Sequence, residues 1–137
     1  LMVKQQLSAE DVREINTGAF AKAGKKINDL LTNSITGLQN EDLLILSKNY
    51  KKFKKFNDDI KDKEAKLSSL ITKLEDKDLE AGNYYTLNLY YLLEINHAIR
   101  HITWDTFYHV DNNHKPLLPI QIEELNEAKH KIVDNGL

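Results

Sequence analysis

Apolar residues recur at three- and four-residue spacing along most of the chain, which predicts amphipathic helices. The first predicted helix runs from about Ser8 to Asn33, and residues 34–39 are predicted to form a turn with Gly37 as its pivot. The apolar stripe of this helix comprises Val12, Ile15, Ala19, Ala23, Ile27 and Leu30.

A second, longer helix is predicted from Asn40, a favourable N-cap residue, to about Leu74. One core position of every heptad in it is apolar, which is typical of helices that pack nearly parallel to a neighbour. That register comprises Leu46, Phe53, Ile60, Leu67 and Leu74, and the other predicted core register comprises Leu43, Tyr50, Asn57, Glu64 and Ile71.

Residues 75–82 are predicted to form an acidic turn, and a third helix follows from about Asn83 to Val110. The predicted core face of this helix comprises Tyr84, Leu87, Tyr91, Leu92, Ile95, Ala98, Ile99, Ile102 and Val110. The chain breaks at residues 112–116, and a shorter helix is predicted near Pro119, because proline is favoured at the first helical position. The stripe of this last helix comprises Ile122, Leu125, Lys129 and Ile132.

Four helices with short connections predict an all-α fold, since no segment shows sustained strand alternation. We expect residues 1–137 to form one domain, an antiparallel up-and-down helical bundle of three long helices plus a shorter C-terminal helix. A chain of 137 residues is long enough to bury a core.

Composition narrows the functional classes. The net charge of −2 gives no reason to expect a nucleic-acid partner, and the lack of cysteine excludes thiol catalysis and cysteine-based zinc sites. No apolar run approaches the roughly 20 residues that span a bilayer. Because no nucleophile–base pair, phosphate-binding glycine loop or Rossmann fingerprint is recognisable, we expect neither an enzyme nor a bound cofactor.

The third predicted helix carries the candidate metal ligands His97, His101, Asp105 and His109. These residues follow one another at four-residue spacing, and imidazole and carboxylate groups one turn apart can share a metal ion. The alternative is a polar flank beside the apolar face. We assign no metal site on this pattern.

Two Glu-x-x-His motifs, Glu94–His97 and Glu127–His130, resemble those of di-iron helical bundles. Such bundles also need a glutamate from each remaining helix, and only Glu64 occupies a core register. On a helical wheel the motif side chains point away from the apolar stripes. Di-iron chemistry is therefore not expected.

Five lysines form a basic cluster in the second predicted helix: Lys48, Lys51, Lys52, Lys54 and Lys55. Residues 48–66 contain eight lysines against four acidic residues, a local excess of 8 − 4 = +4. Such a stripe can contact the anionic headgroups of a membrane surface. The alternative is the solvated outer face of a heptad helix.

Three aromatic residues, Tyr90, Trp104 and Tyr108, fall on one line outside the predicted apolar face of the third helix. The helix carries more aromatic residues than one core stripe needs. This line indicates a contact surface, either in a homodimer or with a partner domain.

The segment Tyr84–Gln121 also carries a family resemblance. The residues that match are Tyr84-Tyr85, Tyr91–Ile95, His97, Ile102, Phe107, His109–Leu117 and Gln121, and the most specific piece is His109–Pro116. The segment resembles the C-terminal soluble region of Pit-type inorganic phosphate transporters from Bacteroidetes bacteria. That region is similar to PhoU, a helical-bundle regulator of phosphate uptake.

The resemblance implies a PhoU-like cytosolic domain that regulates or supports phosphate uptake without carrying phosphate itself. Its partner would be the membrane part of its own transporter, and its location would be the cytoplasmic side of the inner membrane. The alternatives are a free-standing helical protein for interaction or dimerisation, and a metal-binding four-helix bundle.

PhoU proteins bind metal clusters through Asp/Glu-x-x-x-Asp motifs on their helices. Asp58-x-x-x-Asp62 has this form but lies one residue away from the core register of Asn57, and His101-x-x-x-Asp105 begins with histidine. The metal sites of the family are therefore not carried over to this chain.

Overall fold

The computed structural model describes residues 9–73 and 79–134, which form four helices. These are α1 (Ala9–Gln39), α2 (Leu43–Ile71), α3 (Leu79–Asp111) and α4 (Pro119–Val133). Over those two ranges no residue belongs to a β-strand, so the predicted all-α helical bundle is confirmed. Within the same ranges, no helix combines the length and the apolarity that crossing a membrane requires.

The helices α1, α2 and α3 form the core, and each packs against the other two, whereas α4 packs against α1. Lys26 near the middle of α1 pairs with Asp59, while Ser34, further along α1, bonds to Asn49, which precedes Asp59 in α2. The two helices therefore run antiparallel. The predicted antiparallel arrangement is confirmed for these two helices.

α1 continues through the segment predicted to be a turn and ends at Gln39. Ser34 is buried, and its hydroxyl donates a hydrogen bond of 2.8 Å to the Leu30 carbonyl, as serine commonly does inside a helix. A Cβ atom added to Gly37 would lie 2.6 Å from the side chain of Leu46. The predicted pivot at Gly37 is wrong, because this glycine instead allows α2 to approach α1 closely.

The turn between α1 and α2 lies at residues 40–42. The Asp42 amide donates to the Gly37 carbonyl (2.8 Å) and the Glu41 amide donates to the Leu38 carbonyl (3.3 Å). These two bonds make a Schellman motif, with Glu41 in the left-handed conformation at φ 50°.

α2 is capped by Asp42, whose Oδ1 accepts a hydrogen bond of 3.1 Å from the Ile45 amide. The predicted cap at Asn40 is wrong, because the Schellman turn places Asn40 before the left-handed residue rather than at the start of α2. The cap and the turn together fix the angle at which α2 leaves α1.

One predicted core register of α2 is confirmed, because Leu46, Phe53, Ile60 and Leu67 are buried, while Leu74 lies outside the described residues. The second register is wrong as a core register. Asn49 and Phe56 are buried in its place. The displaced residues are Leu43, which is exposed, and Tyr50, Asn57, Glu64 and Ile71, which are half-buried at the edge of the core.

α3 begins at Leu79, so residues 79–82 of the predicted acidic turn are helical, and residues 75–78 lie outside the described residues. Its buried stripe alternates steps of four and three residues and comprises Tyr85, Leu89, Leu92, Asn96, Ile99 and Thr103. Among the predicted core residues, Leu92 and Ile99 are confirmed, but Tyr84, Leu87, Tyr91 and Ala98 are exposed. The prediction fails there because apolar residues occur on several faces of α3.

The remaining stripes agree in part with the structure. In α1, Ala23, Ile27 and Leu30 are buried, while the side chains of Val12, Ile15 and Ala19 lie outside the described part. α4 begins at Pro119 as predicted, with the Leu118 amide donating to Gln121 Oε1 (2.8 Å). No residue of α4 is fully buried, and Ile132 is exposed.

Gly37→Ala is expected to lower the free energy of unfolding by about 1–3 kcal/mol, because the added Cβ would overlap the fully buried Leu46 side chain. Gly18→Ala is the matched control, since a Cβ added there would have no atom within 4 Å. At that position the higher helix propensity of alanine should raise stability by up to about 1 kcal/mol. Urea unfolding measures both, and equal effects would contradict the close approach.

Glu41→Gly is expected to raise the free energy of unfolding by about 1 kcal/mol, because glycine relieves the Cβ strain of the left-handed conformation. Asn113, which follows α3, has a similar φ of 53°. Asn113→Gly should raise stability by less, since asparagine tolerates this region. Thermal unfolding compares the two, and a destabilised Glu41→Gly variant would refute the Schellman turn at residues 40–42.

Candidate functional site

The four candidate metal ligands on α3 do not converge. The rings of His97 and His101 meet edge to face at 4.9 Å, and both residues are exposed, as is Asp105. His109 turns to the following loop, where its Nε2 lies 3.0 Å from the Lys115 carbonyl. In residues 9–73 and 79–134 no group of three histidine, aspartate or glutamate side chains is placed to hold a metal ion.

The two Glu-x-x-His motifs are engaged in local pairs or exposed to solvent. Glu127 pairs with Lys131 at 3.6 Å, and His130 pairs with Asp134 at 2.9 Å, both on the exposed face of α4. Glu94 and His97 are exposed on α3. The structure therefore does not bring these side chains together.

The five residues of the basic cluster are all exposed. Lys52 and Lys55 line a cavity of 220 Å³ between α1 and α2, where the Lys26–Asp59 pair and Asp29 also lie. Lys54 points the other way, and its Nζ lies 4.7 Å from the centre of the Tyr50 ring. This distance is typical of a cation–π contact. Lys54 therefore lies against an aromatic side chain on the side of α2 that faces α3.

An aromatic cluster joins α2 to α3. Tyr50 lies 5.1 Å from Trp104 and stacks on Phe107 at 6.0 Å with an interplanar angle of 5°. Trp104 also lies 6.0 Å from Tyr108, and Tyr108 lies 5.9 Å from His114. We call Tyr50, Trp104, Phe107, Tyr108 and His114 the aromatic cluster.

The predicted aromatic line is exposed along its length. Tyr90 is 55% exposed, Trp104 42% and Tyr108 47%, although Trp104 and Tyr108 also take part in the aromatic cluster. The role of Tyr50 was not predicted from the sequence, because its heptad position suggested a core residue. Tyr50 is half-buried at the edge of the core on the side of α2 that faces α3, and no pattern in the sequence indicates its contact with Trp104.

The loop after α3 is held by its own backbone. The His114 amide donates to the His109 carbonyl and the Asn113 amide to the Val110 carbonyl, each at 3.1 Å. With Asn113 in the left-handed conformation, these bonds form a second Schellman motif. The ring of His114 is thereby placed 5.1 Å from the ring of His109.

This loop meets the α1–α2 turn at one end of the bundle. The two segments line an open cavity of 380 Å³, whose lining residues are Glu41, Leu43, Val110, Asn113, His114 and Pro116. The segment with the most specific family resemblance therefore lies next to another ordered turn.

Comparison of the chain with protein-family models, with curated proteins and with solved structures found no match. Functional inference therefore depends on the surface that the helices present.

Proposed function

We propose that the chain is a non-catalytic helical interaction domain, and that it serves as the cytosolic regulatory part of an inorganic phosphate transporter. The observation that carries this proposal is that the family resemblance and the exposed aromatic surface lie in the same segment. The segment Tyr84–Gln121, which resembles the tails of Pit-type transporters, also contains the exposed aromatic line and the ordered loop at His109–Pro116.

The chemistry of the exposed groups favours interaction over catalysis. The histidines and carboxylates of α3 and α4 lie apart or form local pairs, such as His130 with Asp134. The aromatic line, in contrast, keeps about half of the surface of Tyr90 and Tyr108 in contact with water. Tyrosine and tryptophan are enriched in protein interfaces because they combine a large apolar area with a polar group.

The position of α3 suits a regulatory contact. A partner bound to the aromatic line would contact α3, which packs against both α1 and α2. A partner that binds the folded domain but not the unfolded chain would stabilise the whole bundle, because binding shifts the folding equilibrium toward the folded state. On this proposal the partner is the membrane part of the same transporter, and the domain lies at the cytoplasmic side of the inner membrane.

A second candidate function is self-association through the same aromatic line, in a free-standing helical protein. The observation that favours it is the exposure of Tyr90, Trp104 and Tyr108, which would be covered in a dimer. It differs from the first candidate in requiring no membrane partner.

The transporter proposal predicts that the reading frame containing this chain encodes membrane-spanning helices on the N-terminal side of residue 1. Expressed in a bacterium without its own phosphate transporters, the whole frame should support uptake of radiolabelled phosphate. A truncated transporter that keeps the membrane helices but lacks residues 1–137 should still take up phosphate. Its uptake rate should respond differently to the external phosphate concentration.

Two results would contradict the proposal. One is a reading frame that opens next to Leu1 and encodes no membrane helices. The other is a truncated transporter whose uptake rate and phosphate response match those of the whole protein. As a control, immunoblotting should show that the truncated transporter reaches the same amount in the membrane as the whole protein.

A further inference from the structure

The structure joins two features that lie far apart in the sequence. Tyr50 of α2 contacts Trp104 of α3 at 5.1 Å, and Lys54, one turn after Tyr50, places its Nζ over the Tyr50 ring. Lys52 and Lys55 line the cavity between α1 and α2, but Lys54 belongs with the aromatic cluster to one continuous surface. We call it the α2–α3 surface.

The charge that α2 brings to this surface is positive and local. From Leu43 to Asn57, α2 contains the five lysines of the basic cluster and no acidic residue. The first acidic residue of the helix is Asp58. On a chain with a net charge of −2, such a segregated stretch attracts an anionic partner to one side of the molecule.

The aromatic residues beside these lysines are of the kinds enriched where proteins meet the headgroup region of a bilayer. Trp104 and Tyr108 are about half exposed, and each pairs an apolar ring with a polar N–H or O–H group. Lysine side chains reach past such rings with their apolar stems and keep the charge at the headgroups.

We propose that the α2–α3 surface binds an anionic lipid membrane. Lys51 and Lys54 contact the lipid phosphates and carboxylates, while Trp104 and Tyr108 lie at the level of the headgroups. Each lysine near an anionic leaflet contributes about 1 kcal/mol, which is roughly a fivefold gain in binding.

A nucleic acid and a second copy of the chain fit this surface less well. Single-stranded nucleic acids stack on free ring faces, whereas Tyr50 and Phe107 stack on one another and Trp104 packs against both. A symmetric dimer would oppose the same lysines from both copies, which like-charge repulsion disfavours.

The test uses the purified chain and Trp104, the single tryptophan, as a fluorescent probe. Vesicles of phosphatidylcholine with phosphatidylserine should shift its emission to the blue, and lipids brominated on their acyl chains should quench it. Vesicles of phosphatidylcholine alone should do neither at the same lipid concentration. Raising the salt from about 0.1 M to about 1 M should abolish binding, because it shortens the Debye length from about 10 Å to about 3 Å.

The decisive variant is Lys51→Gln/Lys54→Gln, which should weaken vesicle binding by roughly 25-fold, a factor of about five for each lysine. The matched control, Lys22→Gln/Lys25→Gln, removes the same charge from exposed lysines of α1, outside the α2–α3 surface, and should weaken binding far less. Circular dichroism shows whether both variants keep their helices.

Four results would overturn the inference. The first is no blue shift with anionic vesicles, and the second is an equal loss of binding in the two double variants. The third is a blue shift that depends on protein concentration without lipid, together with a dimer in light scattering, which would assign the surface to a second copy. A single-stranded oligonucleotide that binds more tightly than the vesicles would likewise overturn it and assign the surface to nucleic acid.

Trp104 and Tyr108 contact lipid in this inference and the membrane part of the transporter in the proposed function, and the two assignments are tested separately. If the chain binds anionic vesicles but its reading frame encodes no membrane helices, the lipid surface is supported and the transporter proposal is refuted. If the chain does not bind vesicles, but its removal from the transporter alters phosphate uptake, the transporter proposal is supported and the lipid surface is refuted.

Discussion

The register of α2 against α1 is the constraint on which the rest of the structure depends. Leu46 is fully buried where α1 has only Gly37, so a shift along the helix would place its side chain against a larger residue. One turn further, the buried amide nitrogen of Asn49 donates to the Leu30 carbonyl at 3.0 Å and to the Ser34 hydroxyl at 2.9 Å. A shifted register would move that amide nitrogen away from both acceptors, and a buried donor without a partner costs more than the bond itself gains.

This register determines what each side of α2 presents. With Leu46 and Asn49 turned to α1, Tyr50 faces α3, where it meets Trp104, and the lysines face outward. A second polar contact, from Asn96 Nδ2 to Asn57 Oδ1 at 2.8 Å, joins α2 to α3 two turns after Tyr50. The buried asparagines thus favour one arrangement of three helices that apolar packing alone would allow to slide.

The sequence predicted the elements better than their contacts. Pro119 predicted the start of α4 because its fixed φ suits the first helical position, and the Leu46–Leu67 heptads predicted one face of α2. The predicted turn at Gly37 was wrong, because a glycine in a turn and a glycine at a close helix contact cannot be distinguished in the sequence. The buried face of α3 was predicted only in part, because apolar residues occur on several of its faces. The Tyr50–Trp104 contact was not predictable, since it depends on the packing of two helices.

Tyr50 and Trp104 join the basic α2 and the aromatic line of α3 into one surface. A double-mutant cycle tests it most directly, with Tyr50→Leu, Trp104→Leu and the double variant compared by urea unfolding. We predict a coupling free energy of about 0.5–1.5 kcal/mol, as for other aromatic pairs in contact. Strictly additive effects would show that the two rings do not touch, and would contradict the claim.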